Sequence, residues 1–287
     1  MSASLGILFG LIAMVVWGLA DPFVKIITRK IGTYHTVLYR AVVSFLFLLV
    51  IALFFAGTVA VPGTLLLFLL GMGFLGFLAF FLYVKGIEAG NVSVISPIAH
   101  ASVIITVLLS LFFFRESLKL TQILAMSIII LGIILISFKY SEFKKTRNLA
   151  KGIGFALAAL IGWGFLFFLW KIPLAYTSPI IVAFYVEALL FFYTLISAVP
   201  LKKKIFVPKF NKKLLGLVVI AGILPALGSL FYTIGINLEY VSLVVPIASA
   251  SPFIAVIASA AFLKEKLELN QKIAVAMIVI GLIAIAL

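Results

Sequence analysis

The stretch Val92–Leu120, VSVISPIAHASVIITVLLSLFFFRESLKL, occurs a second time as Val241–Leu269, VSLVVPIASASPFIAVIASAAFLKEKLEL. The offset is 149 residues, about half of a 287-residue chain. When 83–136 is set against 232–285, 23 of 54 positions are identical without a gap. Apolar bias alone would give roughly one in ten, so this is an internal repeat and frames every other reading. Each copy has a Val-Ser start, a mid-segment proline (Pro97, Pro246) and a long apolar run. Each then closes on a basic residue followed by Glu (Arg115-Glu116, Lys264-Glu265).

Composition names the solvent. The chain is 66% hydrophobic and 10% charged, against about 25% charged in a soluble domain. So much apolar surface can be hidden only in a bilayer. Eight acids and two His leave little for a metal or acid–base cluster, and with no Cys there are no disulfides and no thiol chemistry. No cofactor is expected. The net charge of +14 is spread over many short segments. That pattern sets membrane topology and touches anionic lipid, and it gives no reason to expect a nucleic-acid partner.

Apolar segments long enough to cross about 30 Å of hydrocarbon fall at roughly 4–24, 34–56, 63–84, 91–114, 118–138, 150–170, 179–199, 213–235, 241–262 and 269–287. The first has no basic leader before it and is expected to be retained as a span. The repeat reaches back to the start of each half: Gly6, Phe9, Ala13, Trp17, Gly18 and Lys25 recur as Gly152, Phe155, Ala159, Trp163, Gly164 and Lys171. The expected fold is therefore all-α and integral to the membrane, with ten transmembrane helices in two five-helix repeats, 4–138 and 150–287, joined by a linker at 139–149. Five is odd, so the second unit enters from the opposite side and the repeats are inverted. Charge agrees. Alternate connections carry 18 Lys/Arg on one side and 3 on the other. The positive-inside rule then places both termini outside the cell membrane.

Two five-helix units, the Trp-Gly pairs Trp17-Gly18 and Trp163-Gly164, Arg40 early in helix 2, Pro97 and Pro246, and Glu116 and Glu265 between paired helices resemble the EamA-type family of the drug/metabolite transporter superfamily. The resemblance implies a secondary transporter. It also implies a central cavity surrounded by helices 1–4 and 6–9, with helices 5 and 10 peripheral. The family's Glu is usually preceded by Gly, where this chain has Arg115 and Lys264. Many members also keep both termini in the cytoplasm, opposite to the charge reading.

Polar and aromatic residues at membrane depth are the site candidates. Pro97 and Pro246 free a backbone carbonyl each, and bend their helices either to line a pathway or to pack. His100 lies one turn past Pro97, with Ser249 in its place in the other half. His100 is read as a substrate or proton group, or as a structural histidine. With the offset taken as 147, Arg40 aligns with Glu187. These two are read as ligands for a carboxylate and an ammonium, or as residues snorkelling to water. Asp21, one turn past Trp17, precedes Pro22, where the helix is expected to bend or end. Asp21, His100 and Glu187 are the candidates for ion coupling. Trp17, Trp163, Tyr39, Tyr185, Tyr83 and Tyr232 recur in pairs and suit either an aromatic wall for an amphipathic solute or an interfacial belt. Glu116 and Glu265 are expected in the first turns of helices 5 and 10, complementing the helix dipole.

The leading expectation is a transporter of small organic metabolites, such as amino acids, working by alternating access at the repeat interface. It would be a monomer or homodimer with a small-molecule substrate and membrane lipid as partners. The chain has no G-x-x-x-x-G-K-[ST] pattern and so does not hydrolyse ATP by that motif. A flippase of lipid-linked head groups is the alternative. An integral-membrane lipid-modifying enzyme fits less well, since it needs clustered His, Asp or Glu.

Overall fold

The computed structural model describes residues 2–89, 92–137, 149–206, 211–263 and 267–286; Glu265 and Lys264 lie outside them. Among the described residues there is no strand, and apolar helices of membrane-spanning length follow one another along the chain. The first helix, Ser2–Phe55, is broken at Gly32 (φ 78, ψ 165), giving α1 (2–31) and α2 (33–55). Glycine reaches such a conformation without the steric penalty of a Cβ. The bend expected at Asp21-Pro22 is therefore displaced. The helix runs through Pro22, which forfeits one backbone bond, and the chain turns at Gly32 instead. Next come α3 (Gly63–Ala89), α4 (Val92–His100 and Ser102–Phe113), α5 (Leu120–Ser137) and α6 (Leu149–Leu169). The second half ends with α7 (Pro179–Ile196), α8 (Lys212–Leu238), α9 (Val241–Ser249 and Ser251–Leu263) and α10 (Leu269–Ala286).

Local chemistry sets these ends. Ser178 accepts the Ile181 N–H at 3.4 Å with Pro179 in the first helical position, and Asn211 accepts the Leu214 N–H at 2.8 Å. In α4 and α9 the break falls at Ala101 and Ala250, one turn beyond Pro97 and Pro246. Ala101 N–H is shared between Pro97 O (3.1 Å) and Ile98 O (3.2 Å), and Ala250 N–H reaches Ile247 O at 3.1 Å, so i→i+3 bonds enter both ladders at the same place.

The two halves interlock, and glycines show how. A Cβ on Gly18 would stand 2.5 Å from Ile254 Cβ; a Cβ on its repeat mate Gly164 would stand 2.6 Å from Ile105 Cβ. Gly132 lies against Ile278, and its mate Gly281 against Ile129, each at 2.6 Å by the same measure, where α5 crosses α10. Helix α1 packs on α8 and α9, and α6 packs on α3 and α4. Each half's first helix thus completes the other half, and the main core cluster draws on both. Lipid has no hydrophobic drive to offer between helices, so close approach at small residues supplies the packing.

The same geometry corrects the alignment of α2 with α7. Gly222 packs on Val43, and its mate Gly73 on Leu189. Tyr39 Oη donates to Ile205 O at 3.0 Å, and Tyr185 Oη to Val59 O at 2.9 Å. Val43 and Leu189, Tyr39 and Tyr185, and Val59 and Ile205 are each 146 apart, whereas Gly73 and Gly222 are 149 apart. Arg40 therefore matches Val186, Glu187 matches Ala41, and the charged pair is not related by the repeat. The extra residues fall in the α7–α8 connection.

Glu116 is also placed differently from expectation. It precedes α5 in a non-helical segment, and Arg115 before it has φ 53. That left-handed turn swings Glu116 across to the other repeat. There its two carboxylate oxygens accept the N–H groups of Val241 and Ser242 at 2.8 and 2.9 Å. It caps α9, not its own helix. The family's usual glycine at position 115 matches a backbone conformation that glycine adopts freely.

Candidate functional site

A cavity of about 340 Å³ lies between the halves. It is walled by α1, α2, α3 and His100 from one repeat, and by α6, α7, α8 and Ser251 from the other. Neither α5 nor α10 contributes, in line with the peripheral place the resemblance implied. Of the predicted residues, Trp17, Asp21, Arg40, His100, Trp163 and Glu187 come together on its surface.

The others stand elsewhere. Tyr83 and Tyr232 back the tryptophans: Tyr83 lies 5.0 Å from Trp163 and Tyr232 5.5 Å from Trp17, centroid to centroid. Tyr39 and Tyr185 bind the connections described above. Pro97 and Ser249 lie in α4 and α9 away from the lining. Sequence reasoning missed Phe77, Phe80, Phe167, Trp170 and Ser229 in the wall. One aromatic among 28 Phe carries no signal. Ser229 did carry one, being a hydroxyl inside an apolar span.

The charged groups differ in how they are held. Glu187 is 4% exposed. Its Oε1 accepts from Ser229 Oγ at 2.6 Å, and its Oε2 is buried without a partner. Arg40 is half-buried, and Asp21 is exposed to the cavity within the electrostatic reach of Arg40. The wall thus presents one guanidinium and two carboxyl groups, of which Glu187 keeps one oxygen without a partner. An unpaired buried carboxylate oxygen is costly, so a cation brought to it gains more than it would at the surface. His100 has Nδ1 2.8 Å from Ser96 O, which makes Nδ1 the protonated nitrogen and leaves Nε2 as an acceptor. Its ring is edge-on to Tyr83 at 6.2 Å. Among the described residues no three His, Asp or Glu gather to hold a metal ion.

One end of the cavity is shut by aromatics. Phe167 and Trp170 lie parallel with centroids 5.9 Å apart; Trp170 meets Tyr232 at 5.1 Å, and Trp17 meets Phe167 at 6.4 Å. Trp170 Nε1 donates to Thr233 Oγ1 (3.1 Å), which donates to Ser229 O (2.6 Å). These bonds end on the backbone carbonyl of Ser229, whose hydroxyl separately holds Glu187. Beyond this aromatic plug, Lys171 donates to the carbonyls of Ile236 and Glu239 at the end of α8. The opposite end shares Val37, Phe77 and Phe80 with a second chamber under the basic connections.

Two repeats around a polar cavity, with aromatics packed at one end and a second chamber sharing its wall at the other, fit the architecture of a membrane transporter. The chain belongs to the EamA-like transporter family, which matches residues 4–138 and 150–287. It is a multi-pass membrane transporter of the drug/metabolite type. A stretch of 131 residues, 46% of the chain, is 28% identical to an uncharacterized protein of Methanocaldococcus jannaschii and covers 95% of it, so that relative is about one repeat long. A solved crystal structure of a protein aligns with a TM-score of 0.79 over 97% of this chain and 95% of its own, at 17% identity, and so shares the fold.

Proposed function

We propose that this chain carries small zwitterionic metabolites of the amino acid kind by alternating access at the repeat interface. The observation that carries the reading is the unpartnered, buried Glu187 Oε2 in the same cavity as the Arg40 guanidinium. An ammonium bound at Glu187 and a carboxylate at Arg40 would satisfy both groups at once. Trp17, Trp163, Phe77 and Phe167 supply an apolar surface for the rest of the solute. Ser229 Oγ holds Oε1 and leaves Oε2 for the ammonium.

The test is uptake of labelled zwitterionic amino acids into proteoliposomes. Arg40→Gln and Glu187→Gln should each lower kcat/KM by about one to two orders of magnitude, the worth of a hydrogen bond to a charged group. Glu187→Gln should fold at least as stably, because it removes an uncompensated buried charge. Wild-type uptake by both variants would refute the assignment, as would equal uptake of uncharged analogues.

A further inference from the structure

We propose that Trp163 and His100 form a two-point polar pair in the cavity wall that reads a carboxamide on the solute's side chain. The indole N–H meets the amide oxygen and the imidazole nitrogen meets its NH2. The proposal rests on the central cavity being the site for a zwitterionic solute, and names the side chain which that solute bears.

The two tryptophans of the repeat do not end alike. Trp17 Nε1 donates to Pro225 O at 3.2 Å, so its polar atom is committed to α8. The indole reaches that carbonyl by lying over Gly228, where a Cβ would fall on its Cδ1 and Nε1 atoms. By the 149-residue offset that relates Tyr83 to Tyr232, the mate of Gly228 is Ala79 and the mate of Pro225 is Gly76. The Ala79 methyl points at α6 and packs on Gly162, so it fills the seat that glycine leaves open in the other half. Trp163 does not repeat the bond of Trp17, and its Nε1 has no hydrogen-bond partner among the described residues.

His100 stands beside it. The two rings lie 6.1 Å apart, centroid to centroid, and both residues line the cavity. Ser96 O is a carbonyl and only accepts, so His100 Nδ1 carries the hydrogen and the neutral ring offers Nε2 as a bare acceptor. Nε2 likewise has no partner among the described residues. On the same wall Thr36 Oγ1, Trp170 Nε1 and Ser229 Oγ are already spent on Gly32 O, Thr233 Oγ1 and Glu187 Oε1. An unpaired donor next to an unpaired acceptor complements a group that offers both on separate atoms. A carboxamide does so, with its oxygen and its NH2 on one carbon. A hydroxyl offers both from a single atom, and an apolar side chain leaves both wall groups unpaired, which is costly in a buried site. A site built to hydrogen-bond its solute rejects an isostere lacking the polar group far more strongly than an apolar pocket does. Arg40 and Glu187 hold the charged end whichever side chain follows, so this pair sets side-chain specificity alone.

The experiment measures uptake into proteoliposomes at about pH 7.5, where an ordinary imidazole is neutral. It compares asparagine with leucine, a near-isostere without the polar atoms, and threonine with valine. Asparagine should exceed leucine in kcat/KM by about 10-fold or more, and by a larger factor than threonine exceeds valine. Trp163→Phe and His100→Phe each keep a ring and remove one polar atom. Each should lower asparagine uptake more than leucine uptake and bring their ratio towards one. Loss of both amino acids in equal proportion in both variants would reduce the pair to aromatic wall and overturn the proposal. Equal uptake of asparagine and leucine by the wild type would overturn it too, while leaving the zwitterion reading standing. A threonine-to-valine preference as large as the asparagine-to-leucine one would replace the carboxamide by a hydroxyl and sink the assignment. Uptake of none of the four by the wild type would instead remove the zwitterion reading, and this proposal with it.

Discussion

Trp163 with Tyr83 and Trp17 with Tyr232 hold the same place in the two repeats, at ring separations of 5.0 and 5.5 Å. What surrounds them differs. Beside Trp17 and Tyr232 stand Phe167 and Trp170, and the end of the cavity is filled. The repeat mates of Phe167 and Trp170 are Asp21 and Val24, a short acid and a small aliphatic, and at that end the cavity has room. The frame obeys the symmetry; the contents do not. The glycine contacts that set helix spacing recur pair by pair, whereas every charged group in the cavity, Asp21, Arg40 and Glu187, has an uncharged mate. A duplicated unit can thus keep two equivalent packings while the side chains around them differ.

The sharpest way to break the comparison is to make the plugged end resemble its mate. Trp170→Val installs the residue found at Val24. In this cysteine-free chain, Ser251→Cys puts one thiol on the cavity wall. An impermeant thiol reagent should label it from one face of a proteoliposome, and from both faces once Trp170→Val is added. One-sided labelling in both backgrounds would show that the aromatic stack is not the seal.

Smaller effects probe the shared frame. Gly132→Ala and Gly281→Ala place a methyl against Ile278 and Ile129 at the same 2.6 Å. Each should cost about 1–3 kcal/mol by overpacking, and the two losses of thermal stability should match within error. A large inequality would mean the α5–α10 crossing is not symmetric in solution. Glu116→Gln keeps the shape but removes the charge from the cap on α9; it should cost about 1–2 kcal/mol in detergent melts. Arg115→Gly restores the family's usual residue at φ 53. Relief of left-handed strain and the greater freedom of an unfolded glycine oppose each other, leaving a gain of at most about 1 kcal/mol. A lowered melting temperature would show that the Arg115 side chain contributes more than its backbone costs.

Much of this was legible in the chain itself. The repeat, the odd helix number and the hydrophobic lengths determined an inverted ten-helix membrane protein, because bilayer thickness and backbone satisfaction leave few other solutions. Trp17, Asp21, Arg40, His100, Trp163 and Glu187 were found as polar or aromatic residues at membrane depth, where burial without a reason is expensive. Three things needed tertiary structure. The pairing of Arg40 with Glu187 by alignment failed because an insertion in a loop cannot be located by counting; the contacts of Gly73 and Gly222 place it after α7. Tyr39 and Tyr185 became loop clamps because a recurring tyrosine looks the same in sequence whether its hydroxyl meets a solute or a carbonyl. Glu116 left its own helix because one left-handed residue redirects a side chain in a way that no periodicity records. Sequence determined what must be buried in lipid and how many times the chain crosses. Only the folded packing decided which polar atoms face one another, since that depends on distances between segments a hundred or more residues apart.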